Sequence, residues 1–316
     1  MPQSNQIVCV VGPTACGKTK LGIELAKQFR GEVVSADSMQ IYRGMTIGTA
    51  APTAEEMEGI PHHMIAVADP REPYSVARFV EEATACVDDI LARGKLPIVV
   101  GGTGLYLDAL VAGRSFARGE STGQTRQLLK DRLAAEGIEA LHAELARIDP
   151  PAAARLHLND EKRILRALEI YYETGKTITE HDAESRQIPP RYRAVYIGLA
   201  FEDRSDMRAL IDRRVDQMMA RGLAGEVQAL LDAGVSREST ALQAIGYKEL
   251  LSALEGGRSM EEAADEIKLR SRQYAKRQLT WLRRNGAIHW IFWKKERDFS
   301  RALQISTEIL ASEGLG

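Results

Sequence analysis

Short apolar runs alternate with helical patterns through the first third of the chain. Ile7-Val8-Cys9-Val10-Val11, Glu32–Ala36, Met64–Val67 and Leu96–Val100 are brief, largely apolar and bounded by turn residues, as strands of a covered sheet are. Segments such as Leu21-Gly22-Ile23-Glu24-Leu25-Ala26 read as the first turns of helices. This alternation predicts an α/β fold built on a parallel sheet flanked by helices. Periodicity then fails from Gly113 to Gly123. Helical patterns follow at Thr125–Glu136, Ile138–Ile148, Pro150–Leu156 and Asn159–Thr174, closed by Pro189-Pro190. Arg193–Ala200 resumes as a core strand, and Ile288–Trp293 reads as a last one. The expected organisation is a core domain of residues 1–117 and 191–316, with an all-helical insertion domain of residues 118–190. The linker Arg43–His63 is long and rich in Gly, Thr, Pro and Ala, which suits a mobile substrate loop.

Between the first strand and the first helix lies Gly12-Pro13-Thr14-Ala15-Cys16-Gly17-Lys18-Thr19, which matches G-x-x-x-x-G-K-[ST]. A strand, a glycine loop and a helix N-terminus together make a P-loop, whose backbone N–H groups suit a di- or triphosphate. Lys18 would add a point charge, and Thr19 would offer its hydroxyl to Mg²⁺. The second strand ends at Asp37, beyond the C-terminal sheet edge where ligands of open α/β sheets sit. Asp37 is open to three roles: a Mg²⁺ ligand, a general base, or a cap for the next helix. Gly101-Gly102-Thr103-Gly104 follows the Leu96–Val100 run, so backbone and the Thr103 hydroxyl there can approach an anion. An apolar strand ending in a lone acid, usual in P-loop ATPases, is missing.

The 316 residues carry a formal charge of −2, so any nucleic-acid site must be a local patch. One such patch is Lys268–Arg284, where Lys268, Arg270, Arg272, Lys276, Arg277, Arg283 and Arg284 are interleaved with Gln273, Tyr274 and Trp281. Lys162, Arg163 and Arg166 add a second patch in the insertion. His62-His63 lacks partners with metal-ligand spacing and reads as structural. Trp281, Trp290 and Trp293 read as core anchors. Cys9, Cys16 and Cys86 show no metal or redox spacing, and free thiols are expected. With no membrane-length apolar run and no signal-peptide pattern at the start, a cytoplasmic protein is expected. Nothing in the pattern suggests an extended dimer surface, so a monomer is expected.

In this order, the segments Gly12–Thr19, Ser35–Gly44, Ile47–Ala50, Gly59–His63, Gly101–Tyr106, Asn159–Glu169, Ala244–Tyr247 and Arg272–Trp281 resemble the bacterial tRNA dimethylallyltransferases. The resemblance runs over nearly the whole chain. It implies transfer of a dimethylallyl group from dimethylallyl diphosphate to the exocyclic amine of the adenosine 3′ of the anticodon. By the same resemblance Asp37 is the base, and Lys18, Thr103 and Arg214 serve the departing diphosphate. The P-loop residues Gly12, Pro13, Thr14, Ala15, Cys16, Gly17, Lys18 and Thr19 would hold that diphosphate, with Mg²⁺ on Thr19. The resemblance assigns contacts with the tRNA anticodon stem-loop to Asp37, Ser38, Met39, Gln40, Thr103, Arg126, Glu161, Lys162, Arg163, Ile164 and Leu165. It assigns them further to Gln243, Gly246, Tyr247 and Lys248, and the basic Arg277 is expected to join them. Three positions depart from the family pattern: Cys16, Ala51 and Ala66. Two other readings stay open on the residues alone: a P-loop kinase of a small metabolite, and an RNA-binding module with a nucleotide-sensing P-loop.

Overall fold

The computed structural model describes residues 5–113 and 123–315. Contacts divide the chain into two compact units, residues 1–113 with 191–316 and residues 114–190. The sequence-based boundary at Arg118 lies outside the described residues.

In the first unit the elements run β1 (Gln6–Val11), α1 (Lys18–Gln28), β2 (Glu32–Ala36), α2 (Ala54–Met57), β3 (His62–His63), α3 (Val76–Ala92), β4 (Pro97–Gly101) and α4 (Gly104–Ala112). The second unit holds α5 (Gln124–Ile148), α6 (Pro150–Arg155), α7 (Glu161–Thr174) and α8 (Ile178–Gln187). The first unit then resumes with β5 (Arg193–Phe201), α9 (Arg204–Ala220), α10 (Leu223–Asp232), α11 (Tyr247–Leu254), α12 (Met260–Leu282), β6 (Ile288–Trp293) and α13 (Phe299–Ser312).

Among the described residues six strands form one parallel sheet in the order β3-β2-β4-β1-β5-β6. The central strands β1, β2 and β4 are buried along their whole length. That burial explains why they read as apolar runs rather than alternating ones. Registers pair Val11 with Gly101 and Ala36 with Gly101, so the C-terminal ends of β2, β4 and β1 finish side by side. The core under this edge joins Val8 and Val10 of β1, Leu21 and Leu25 of α1, Ile98 and Val100 of β4, and Ile197 and Leu199 of β5.

The third strand departs from the sequence expectation. It occupies His62–His63, not Met64–Val67. Met64 (φ 62°) and Ala66 (φ 52°) take left-handed backbone that a strand cannot contain. The two histidines are spent structurally. His62 Nδ1 lies 2.8 Å from the Ile60 carbonyl, and His63 Nε2 lies 2.8 Å from the buried Glu32, which also binds Arg93 and Lys95.

In the second unit, α5 is broken at Gly137 (φ 81°), where the sequence reading separates two helices. Leu129, Leu141, Leu145, Ile164 and Leu168 form its core. Helix α8 has no counterpart in the sequence reading. Its strongly polar stretch hides no apolar stripe, although Thr177 and Glu180 close a capping box at its start. No described helix is long and apolar enough to cross a membrane.

Candidate active site

The P-loop leaves β1 at Gly12, where a Cβ would stand 2.4 Å from the Leu199 carbonyl oxygen, so only glycine fits. At the helix start Gly17 has φ 93°, and a Cβ there would meet the Phe299 ring at 2.8 Å. The loop's carbonyls are held from the C-terminal part of the chain. Trp293 Nε1 donates to Cys16 O at 2.8 Å, and Arg297 donates to Ala15 O at 3.4 Å. The backbone N–H groups of Ala15, Gly17 and Thr19 have no acceptor among the described residues. Unpaired amides at a helix N-terminus are what a phosphate needs. Lys18 heads α1 and donates from Nζ to Pro13 O at 2.7 Å, so its ammonium lies across the loop. The Cys16 side chain turns into the core, and burial pushes its thiol pKa up, so Cys16 serves the loop by backbone alone.

The glycine that ends β4 and the two that follow it each answer a different close approach. A Cβ on Gly101 would meet Ala36 O at 2.4 Å, one on Gly102 would meet Gln278 Nε2 at 2.3 Å, and one on Gly104 would meet the Trp281 ring at 2.1 Å. This turn is thereby pressed against β2 on one side and α12 on the other. Thr103 Oγ1 accepts from Ser38 N–H at 3.3 Å, joining the turn to the Asp37 segment.

No helix follows Asp37, so it caps a turn instead. Its Oδ1 accepts from Met39 N–H at 2.9 Å and Gln40 N–H at 3.4 Å. Oδ2 takes no donor among the described residues. One oxygen thus fixes the carboxylate while the other is left to a ligand. Tyr274 faces it from α12, and burial together with the Asp37 charge raises the pKa of that phenol. Arg214 of α9 is half-buried and has no ion pair or hydrogen bond among the described residues. Burial lowers its pKa against the pull of the nearby Asp37 and Glu56 charges. An arginine stays protonated through any such shift, so it is an open anion site.

The Arg43–His63 linker is anchored. The Glu226 carboxylate accepts from Thr46 N–H and Oγ1–H (2.9 and 2.8 Å), Ile47 N–H (2.8 Å), Gly48 N–H (3.1 Å) and the Tyr247 hydroxyl (2.5 Å). Burial alone would raise the Glu226 pKa, but these donors outweigh it and hold the carboxyl below its ordinary value. Its contribution to stability is therefore present in full above about pH 4.3 and is lost as pH falls through the lower folded value. We expect Glu226→Ala to cost about 2–3 kcal/mol at neutral pH by leaving several donors unpaired. Denaturant midpoints measured from pH 7 down to acid check this: the gap between wild type and variant should narrow as the carboxylate is protonated.

The RNA candidates are met unevenly. Gln243, Lys248, Arg258, Arg270, Gln273 and Arg277 come together in a groove of about 520 Å³ between α11 and α12. Arg277 also covers the Tyr274 ring, 5.6 Å from its centroid. The basic stretch does not act as one patch, however. Lys268 and Arg272 pair with Asp216 and Asp212 of α9, and Arg270 pairs with Glu266. Tyr247, expected among the RNA contacts, has its side chain fully buried on Glu226 and Gly48. Ile164 is likewise core. Gln40 spends its side-chain amide on Ser35, Thr49 and Ala50. Gly246, with φ 99°, donates its amide to Glu249.

In the second unit Glu161, Lys162 and Arg163 are exposed at the start of α7, with Leu165 half-buried behind them. Arg126 is exposed and reaches the buried Glu169 at 3.4 Å, which also binds Arg166 at 2.8 Å. Of the tryptophans, Trp293 is core, while Trp281 is 39% exposed, with its indole N–H on Asp108.

No group of three or more His, Cys, Asp or Glu side chains among the described residues can hold a metal. The Thr19 hydroxyl, which has no partner among the described residues, lies beside unpaired amides and fits a Mg²⁺ that arrives on a diphosphate, since Mg²⁺ keeps water and phosphate ligands readily.

The family model described as IPP transferase matches residues 40–285, and the one described as Isopentenyl transferase matches residues 5–67. The chain is 47% identical over 298 residues to the tRNA dimethylallyltransferase of Halalkalibacterium halodurans, covering 94% of each chain. It is 46% identical over 287 residues to that of Acetivibrio thermocellus, covering 91% of each. Among solved structures, the full-length tRNA isopentenylpyrophosphate transferase from Bacillus halodurans superposes with TM-score 0.72 at 43% identity, over 97% of this chain and 96% of that one. A eukaryotic dimethylallyltransferase, solved in the course of acting on tRNA, gives TM-score 0.83 at 33% identity, over 98% of this chain and 80% of that one.

Proposed function

This chain belongs to the IPP transferase family of tRNA dimethylallyltransferases, and on that premise we propose how its residues carry a dimethylallyl group from dimethylallyl diphosphate to tRNA. The acceptor is the exocyclic amine of the adenosine 3′ of the anticodon. The amine lone pair forms the new nitrogen–carbon bond while the allylic carbon–oxygen bond breaks. Diphosphate leaves with that electron pair, and the amine proton passes to Asp37 Oδ2. The observation that carries this reading is the meeting of Asp37 with two phosphate loops on three adjacent strand ends.

As the bond breaks, negative charge develops on the leaving diphosphate while the allylic carbon delocalises the matching positive charge, so preorganised donors at the diphosphate are the main source of acceleration. The unpaired amides of Ala15, Gly17 and Thr19, the Lys18 ammonium and the Arg214 guanidinium supply them. Thr103, held by Ser38, orients the bridging oxygen. Mg²⁺ held by Thr19 would add charge neutralisation on the diphosphate. The adenine leaves the anticodon stack to reach Asp37, as enzymes acting on a base require. Arg277, Lys248 and Gln243 would receive the RNA in the groove of the first unit. Arg126, Lys162 and Arg163 of the second unit would bind the anticodon stem-loop.

Release of inorganic diphosphate from dimethylallyl diphosphate should require unmodified tRNA, and ATP should give no phosphorylated product. Phosphorylation of a small acceptor by ATP would instead favour the kinase reading. Charge reversal by Arg277→Glu should weaken RNA binding about tenfold or more, since a phosphate contact is lost and a repulsion gained. Binding of inorganic pyrophosphate should change much less. Equal losses in the two titrations would contradict this division.

A further inference from the structure

Helix α12 turns two faces to two parts of the first unit. Tyr274, Gln278 and Trp281, spaced i, i+4 and i+7, meet the loops after β1 and β4. Arg270, Gln273 and Arg277, spaced i, i+3 and i+7, line the basic groove. Such spacings hold each set on one side of a helix.

On the first face Gln278 is 6% exposed. Its Oε1 accepts from Thr14 N–H of the P-loop at 2.8 Å, and its Nε2 donates to the Gly102 carbonyl at 3.1 Å. One partner is a donor and the other an acceptor, so only this orientation of the amide satisfies both. Gly102 leaves no space for a Cβ between Gln278 and Gly12 O. Among the described residues no other side chain hydrogen-bonds both loops. Thr14 lies at the lip of the P-loop, and Gly102 immediately precedes Thr103.

We propose that Gln278 is a positioning residue that locks the P-loop lip and the Gly102–Thr103 turn into one rigid cradle and fastens that cradle to the RNA-facing helix. The inference rests on the transferase reading. Gln278 touches no reacting atom. It acts by fixing the distance between Thr14 and Thr103, across which the carbon–oxygen bond breaks. A shift of about 1 Å in such a cradle costs about 10²-fold in rate. Substrate binding survives, because the amides of Ala15, Gly17 and Thr19 and the groove residues stay in place.

The test uses the full chain with Gln278→Met, which keeps the length but loses both bonds, and Gln278→Glu, which keeps the acceptor for Thr14 but loses the donor to Gly102. Turnover is measured with dimethylallyl diphosphate and an unmodified anticodon stem-loop RNA. Binding of that RNA and of inorganic pyrophosphate is titrated separately. For Gln278→Met we expect kcat to fall about 10²-fold, with KM for both substrates and both Kd values within about threefold. Gln278→Glu should lose about tenfold or more in kcat, and decides the matter if the methionine variant does not fold. Wild-type kcat in a folded variant, or a loss confined to KM or to thermal stability, overturns the inference and leaves the transferase reading standing. A wild-type chain that binds both probes yet never prenylates the RNA overturns the reading beneath it.

Discussion

Asp37→Ala should lower kcat by about 10²–10⁴-fold, the range that a positioned general base supplies, while leaving RNA affinity within a few fold. The adenine amine is a weak nucleophile because its lone pair is delocalised into the ring. Its attack therefore depends on a group that orients the N–H and takes the proton as the bond forms. Asp37 is prepared for that task by its turn. Met39 and Gln40 N–H groups hold Oδ1, and Oδ2 is left without a donor among the described residues. Asp37→Asn keeps the shape and the turn but offers no base, so it should behave like the alanine variant. Single-turnover kinetics with bound RNA separate this effect from binding. A turnover near wild type in either folded variant would remove Asp37 from the chemistry.

Arg214→Ala should cost about 10²–10³-fold in kcat, comparable with removal of one preorganised donor from a developing anion. A guanidinium that is half-buried without a counter-ion is unfavourable unless an anion completes it. Arg214 has no such partner among the described residues, although Asp37 and Glu56 are near enough for their charges to act on it. Arg214→Lys should recover part of the loss, since a point charge replaces the planar fork. The split between constants is diagnostic. Stabilisation of the leaving diphosphate appears in kcat, whereas ground-state binding alone would raise KM for the donor and spare kcat.

Much of the site could be read along the chain because its parts are local. The strand, glycine loop and helix of the P-loop lie within residues 6–28, and Asp37 and Gly101–Gly104 follow directly on their strands. What holds these parts together was not legible. Gln278 reaches Thr14 across 264 positions, Trp293 reaches Cys16 across 277, and Glu226 reaches Ile47 across 179. Nothing in the local pattern of a glutamine, a tryptophan or a glutamate announces such a partner. The same limit explains Tyr247. The resemblance places it among the RNA contacts, yet the Gly48 backbone packs on its ring and its hydroxyl donates to Glu226. The long linker reads as mobile for a related reason, since its length and its Gly, Thr, Pro and Ala content give no sign of the carboxylate that anchors it. Apolarity alone places the third strand at Met64–Val67, which is more apolar than His62–His63. The Glu32 ion cluster and the left-handed Met64 outweighed that apolarity.

The most direct measurement is the mass of an unmodified anticodon stem-loop RNA, with adenines 3′ of the anticodon, after incubation with the protein, Mg²⁺ and dimethylallyl diphosphate. The account predicts a gain of one dimethylallyl group on the adenine 3′ of the anticodon, absent with Asp37→Ala. An unchanged RNA mass, with the protein folded and the RNA bound, would contradict it.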